Sequence, residues 1–245
     1  MSNRSSWTDM RRVIQESVGL IGFWMTLRYL IIYWLSYKPS GDRSFDRHFN
    51  TDTAGLVPSD DLDIDDDATR HQSNLYLGSP ARVTRHLIRS LGINCADYSF
   101  VDYGSGKGRA VLVAAEFPFR RVVGVEISEQ LHTAAESNLQ RYTGTFDCPD
   151  VELWCGNALD YPLPDGDLVL HMYHPVGPDI LRRLLEVIEA SARAKPRRIL
   201  VLYLFSISVS KAVFQDFPAY KILRDELCVN NLYRWTLYEC RPNSD

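Results

Sequence analysis

Residues 100–109, FVDYGSGKGR, hold the densest group of glycines in the chain, between two apolar stretches. Glycines in a turn that joins a strand to a helix let the backbone approach a ligand closely. They also aim the helix N–H groups at it. Spacing separates the ligand classes that use this device. The phosphate loop GxxxxGK[ST] fails, because Val101 stands at its first glycine and Gly108 at its Ser/Thr. The dinucleotide fingerprint GxGxxG matches at Gly104 and Gly106 and fails at Arg109. What remains is D-x-G-x-G-x-G, carried by Asp102, Gly104, Gly106 and Gly108. Glu126 closes the next apolar stretch, where a carboxylate can accept from both hydroxyls of a ribose.

Strands alternating with helices must hold these residues. The pattern predicts a helix opened by Ser79 and Pro80, with Ser79 as cap and Pro80 at the first helical position. It predicts strands at 98–103, 121–126, 151–155, 167–172 and 198–204, and helices at 110–116, 129–141 and 179–194. Two β-like stretches, 220–229 and 232–240, end the chain, with Asn230-Asn231 as their turn. This order implies an α/β fold, a doubly wound and mostly parallel sheet with one antiparallel strand.

Composition bounds the function. At 245 residues, 45% hydrophobic and 24% charged, the chain is globular and long enough for a full core, which excludes wholesale disorder. Its net charge of −4 gives no global reason to seek nucleic acid. By segment the charge is uneven: +3 over residues 1–50, −7 over 51–67 and 0 over 68–245. The shift places a boundary between an N-terminal arm, 1–67, and a folded domain, 68–245. The five cysteines form no CxxC pair, which favours a reducing, cytoplasmic setting without a zinc cluster.

The arm contains an apolar run, 18–37, interrupted by Arg28. Its length fits a helix docked on the domain or on a second subunit, one lying on a membrane surface, or one spanning it, and these stay open. The aspartates Asp61, Asp63 and Asp65 match the first three calcium-loop positions. Asp66 and Gln72 then break the frame at its glycine and its glutamate, so a solvated acidic loop is expected. His171 and His174 lack a third ligand nearby, so no metal is expected.

The D-x-G-x-G-x-G pattern resembles the first motif of class I S-adenosylmethionine-dependent methyltransferases. Four stretches are similar to a bacterial group of these enzymes whose substrates are unassigned: FDRHFNTDTAGL, YLGSPARVTRHLIRSLGI, FVDYGSGKGRAVLVAAEFPFRRVVGVEIS and PLPDGDLVLHMYHPVG. A Tyr-x-x-Ser-Pro element before the glycines adds a distant similarity to protein lysine methyltransferases that lack the SET fold. The resemblance implies a seven-stranded Rossmann-like sheet and S-adenosylmethionine as cofactor. It implies Tyr76 closing over the methionine end and Asp102 near the methionine ammonium. Gly104, Ser105, Gly106 and Gly108 would line methionine and ribose, Glu126 would hold the ribose, and Asn157 and Ala158 would meet the adenine edge, with the Asn157 side-chain oxygen facing the adenine amino group.

The chain departs from that group after the strand at 167–172, where His174 stands in place of an Asn. The Asn-Pro-Pro-Tyr signature of adenine and glutamine methylation is thus absent. Protein amines or small molecules are the favoured acceptors, and His174, then Tyr173, are the expected catalytic residues. A non-catalytic cofactor-binding or scaffold protein is the alternative reading. A nicotinamide-dependent oxidoreductase is a lesser one, disfavoured by Arg109.

Overall fold

The computed structural model describes residues 39–64, 66–228 and 233–241, together with Phe23 and Leu27. Met1–Phe45 and Asp46–Asp245 form separate compact units. In the first, Phe23 and Leu27 are helical positions, and helix α1 (Pro39–Phe49) begins near its end; the short helix α2 (Asp67–Gln72) belongs to the second. The rest of the apolar run 18–37 lies outside the described residues, as does the turn at 230–231. Among the described residues, no helix is long and apolar enough to cross a membrane.

The second unit is a seven-stranded sheet. Its strands are β3 (Tyr98–Tyr103), β4 (Arg121–Glu126), β5 (Val151–Cys155), β6 (Asp167–Tyr173), β7 (Ile199–Leu204), β8 (Tyr220–Cys228) and β9 (Tyr233–Cys240). A separate two-stranded ladder joins β1 (Leu56–Val57) to β2 (Tyr76–Leu77). The large sheet has the order β5-β4-β3-β6-β7-β9-β8, parallel except for β9, which runs against both neighbours. The antiparallel strand is therefore the last one, inserted beside β7. The chain winds outward through β3, β4 and β5, then returns to β6 on the other side of β3. The strand order thus reverses between β3 and β6, and in open α/β sheets the ligand crevice lies at such a point.

Helices on both faces explain why β3 is buried at every position. On one face α6 (Pro178–Ala194) presents Leu181, Leu184, Leu185, Ile188 and Ala192, the apolar stripe of an amphipathic helix. It packs with α7 (Ser208–Gln215) over Val101, Val123, Leu170 and Val201. On the other face α4 (Arg109–Ala115) comes so close that a Cβ on Gly124 would lie 2.7 Å from Val111. Against α4 packs α3 (Ala81–Ser90). Helix α5 (Glu129–Arg141) is capped by the Ser128 hydroxyl, which accepts from Leu131 N–H at 3.2 Å.

Three local expectations shift. Helix α3 starts at Ala81 and Pro80 is its cap residue, so Ser79 stands outside the helix. Helix α7 was without a sequence signal. The compact unit also takes in residues 46–67, the stretch that charge assigns to the arm. There Leu62 and Ile64 are buried in a cluster with Tyr76 and Leu131, an apolar gain that the aspartates around them conceal from a charge count.

Candidate active site

The cavity lies at the carboxyl ends of β3, β4, β5 and β6. Its floor includes Asp102, Gly104, Ser105, Glu126, Asn157, Ala158, His171 and Tyr173, and its roof is supplied by residues 62–79. Of the nine expected cofactor residues, only Gly106 and Gly108 are not part of the lining.

The glycine turn works by backbone conformation. Gly104, Gly106 and Gly108 have φ of +72°, +55° and +83°, the left-handed region that disfavours any side chain. A Cβ on Gly106 would fall 2.2 Å from the Tyr76 ring, so this glycine is the seat of the roof. Gly108 has a different use: it faces Ala135 and lets α5 approach α4.

Glu126 joins the floor together. One carboxylate oxygen accepts from Gly106 N–H at 2.7 Å and the other from Ser128 N–H at 2.9 Å. Burial raises its carboxyl above the ordinary range, while the Ser128 and Gly106 N–H groups pull it down. Each oxygen keeps a further lone pair for a ligand hydroxyl. Asn157 uses its side-chain oxygen to accept from Leu159 N–H at 3.0 Å, which fixes the turn after β5. The oxygen expected at an adenine amino group thus accepts one local bond and keeps a second lone pair.

Asp102 and His171 are partners in the β3–β6 register. Their side chains are buried, and Asp102 Oδ1 lies 2.6 Å from His171 Nδ1. The sequence offers His171 only as a metal ligand, since within an apolar strand nothing marks it as the neighbour of Asp102. Among the described residues, no group of three potential ligands could hold a metal ion.

The expected catalytic residues part company. Tyr173 lines the cavity. His174 is outside the lining: it sits at φ +44°, its Nδ1 shares a hydrogen bond of 2.9 Å with the Tyr203 hydroxyl, and its ring packs on Phe205. Burial lowers its pKa to about 4.

The roof is tied down by polar contacts. Asp46 accepts from Thr51 Oγ1, Thr53 N, Thr53 Oγ1 and Ala54 N at 2.6–2.9 Å. Thr53 in turn accepts from Arg109 Nε at 2.6 Å through its hydroxyl and from Tyr76 Oη at 2.7 Å through its carbonyl. Asp52 N–H donates to Asn138 Oδ1 at 2.7 Å. Asp63 accepts from the Ser128 hydroxyl and from Gln130 N–H, which pins the acidic stretch to the start of α5. At the other side of the roof, Asn74 Nδ2 donates to the His174 carbonyl at 2.7 Å, and Ser73 bridges to Val176.

Residues 101–194 match the family model described as a methyltransferase domain. Those residues form a methyltransferase domain, and its cofactor is S-adenosylmethionine. A predicted N6-adenine-specific DNA methylase from Listeria monocytogenes shares the fold at TM-score 0.50 and 13% identity, over 67% of this chain and 52% of that one. The magnesium protoporphyrin IX methyltransferase of Synechocystis, with bound S-adenosylmethionine, aligns at TM-score 0.48 and 14% identity over 66% and 78% of the two chains. An RNA methyltransferase from Salinibacter ruber, in complex with S-adenosylhomocysteine, aligns at TM-score 0.48 and 18% identity over 69% and 96%. No curated protein sequence matches the chain.

The residues present fit the cofactor of this methyltransferase. Ser105 Oγ, Tyr103 Oη and His171 Nε2 are buried polar atoms of cavity-lining residues, and none has a hydrogen-bond partner among the described residues. A ligand rich in donors and acceptors matches such walls, whereas an apolar one would leave them unpaired at about 1–3 kcal/mol each.

Proposed function

We propose that this methyltransferase holds the cofactor ribose on Glu126 and the adenine over Asn157 and Ala158, and methylates a small molecule or a protein amine. One observation supports the ribose assignment: Glu126 ties Gly106 N–H and Ser128 N–H together at the centre of the cavity floor. Bound S-adenosylmethionine supplies a methyl group on a sulfonium, already activated for in-line displacement. The protein's share is alignment and exclusion of water.

The lining supports this acceptor class. Tyr173, Pro175, Val176 and Ile180 are apolar or uncharged, and among the described lining residues the sole Lys or Arg is Arg109, buried against Thr53. Binding to a polyphosphate backbone draws on accessible Lys and Arg, which this lining lacks. Tyr173 touches the acceptor space. His174, with its pKa near 4 and its ring on Tyr203, acts as a positioning residue behind it rather than as the base.

Titration calorimetry with S-adenosylhomocysteine tests the first half. Glu126→Gln turns an amide N–H toward one of two backbone N–H groups and weakens binding at least tenfold. Unchanged affinity, or no binding by the wild type, would sink the ribose assignment. Methyl-labelled cofactor incubated with lysate fractions tests the second half: label in proteins or small molecules supports it, and label confined to RNA or DNA overturns it.

A further inference from the structure

We propose that strand β8 pairs with β8 of a second copy of this chain, antiparallel and about a two-fold axis through Asp225, so that two sheets join into one.

The large sheet ends at β8, and among the described residues no strand lies on its outer side. An edge strand of nine residues presents a row of backbone groups open to another strand. Apolar side chains gather on the same strand. Among the described residues the exposed large apolar side chains are Phe23 and three residues of β8: Ile222 at 57%, Leu223 at 41% and Leu227 at 38%. The neighbouring β9, by contrast, is buried from Trp235 to Cys240.

The pairing of β8 with β9 shows which of these residues share a face. Ile222 stands opposite Tyr238 and Leu227 opposite Arg234. Tyr238 and Arg234 are four apart, so both apolar residues point to one face of the sheet. In a regular strand two residues five apart would fall on opposite faces. The irregularity between Ile222 and Arg224, which leaves Leu223 unpaired, brings them together. Arg224 and Glu226, opposite Leu237 and Trp235, share the other face.

These positions are symmetric about Asp225. Counted along β9, Arg224 and Glu226 stand one place to either side of it, and Ile222 and Leu227 two places. An antiparallel copy centred on Asp225 therefore sets Arg224 against Glu226 of the partner subunit and Ile222 against the partner's Leu227, each contact made twice. Opposite charges and paired aliphatic groups are cross-strand neighbours that stabilise a sheet. The two Asp225 side chains that meet at the axis have their charges balanced within each chain, by Lys211 and by Arg234. A strand complementary to itself selects a second copy over an unrelated partner, since a two-fold interface uses the same patch twice. Strands β7 and β9 stand between this seam and β6, so both cavities lie outside it.

Sedimentation velocity of the full-length protein, over a dilution series of about two decades, should show a monomer–dimer equilibrium. Arg224→Glu and Glu226→Arg each set like charges against each other across the seam and should weaken association about tenfold or more. Mixed in equal amounts, the two variants meet with opposite charges again, and the mixture should dimerise as the wild type does. Both variants should bind S-adenosylhomocysteine with wild-type affinity, which reports an intact fold. A wild type that stays monomeric, variants that dimerise undiminished, or a mixture no tighter than its components would overturn the proposal. Should either variant fail to fold, hydrogen exchange of the wild type decides: the amides of 221–227 should gain protection as concentration rises, while those of β3 keep one rate. Amides of β8 protected equally at every dilution would place another segment of the same chain on the edge and overturn the proposal, as would amides that stay unprotected throughout.

Discussion

The floor and the roof of the cavity enclose the same space and are held by different forces. On the floor, the glycine turn, Glu126, Asn157, Asp102 and His171 sit at the ends of strands locked in a parallel ladder. The roof, by contrast, has a ladder of two residue pairs, Leu56 with Leu77 and Val57 with Tyr76. It depends instead on single polar contacts: Asp46 on the 51–54 turn, Tyr76 on Thr53, Asp52 on Asn138 and Asp63 on Ser128. A ladder fails cooperatively with its sheet, while isolated contacts can open in a smaller unit. The comparison teaches that one cavity can combine a half fixed by a strand ladder, which sets geometry, with a half fastened by separable contacts.

Gly106 belongs to both halves, and replacing it has the largest expected effect. Gly106→Val imposes a β-branched residue on a left-handed position, at about 1–2 kcal/mol, and drives its Cβ into Tyr76. Binding of S-adenosylhomocysteine should fall at least a hundredfold, and the melting temperature by several degrees. A variant that binds normally would show that the roof does not need this seat. Asp46→Ala separates the halves. It removes the acceptor of four hydrogen bonds within the roof, and hydrogen exchange should accelerate over residues 51–57 and 76–78 while β3 and β4 keep their protection. Equal loss in the strands would erase the distinction.

The smallest effect lies at the seam, where Asn74 bonds the His174 carbonyl. The folded pKa of His174, about 4, is below the ordinary 6.5. The unfolded chain therefore binds the proton first as pH falls, and stability contributed by the neutral ring is lost between about 6.5 and 4. Thermal melts across that range should show a flatter pH dependence for His174→Asn, whose side chain also tolerates φ +44°. Parallel curves for variant and wild type would remove His174 from the seam.

Legibility in the sequence follows the same division. The strands and the glycine turn were readable because their signals are local: apolar runs of strand length, turn glycines, an acidic residue at a strand end. Strand β4 and helix α5 have the bounds that periodicity sets. Helix α7 escaped because Ile207 stands at its cap, where a polar residue is the usual start signal; Ser210 Oγ compensates by accepting from Ile207 N–H at 3.2 Å. The fastening of the roof was unreadable for a deeper reason. Asp46, Thr53 and Asp63 look like any polar loop residues, and their importance lies in partners far along the chain. His171 is the same case on the floor, since only strand register makes it the neighbour of Asp102.

The separation of Asp52 from Asn138, 86 positions, also carries a consequence for biosynthesis. Translation delivers the roof before its anchors on Arg109, Ser128 and Asn138 exist. Residues 46–64 leave the ribosome with their aspartates solvated and Leu62 and Ile64 bare, and remain so until α5 has followed them out. The N-terminal placement of the roof thus makes cavity closure a late event of synthesis, and the seven aspartates of 51–67 keep the waiting segment soluble through mutual repulsion.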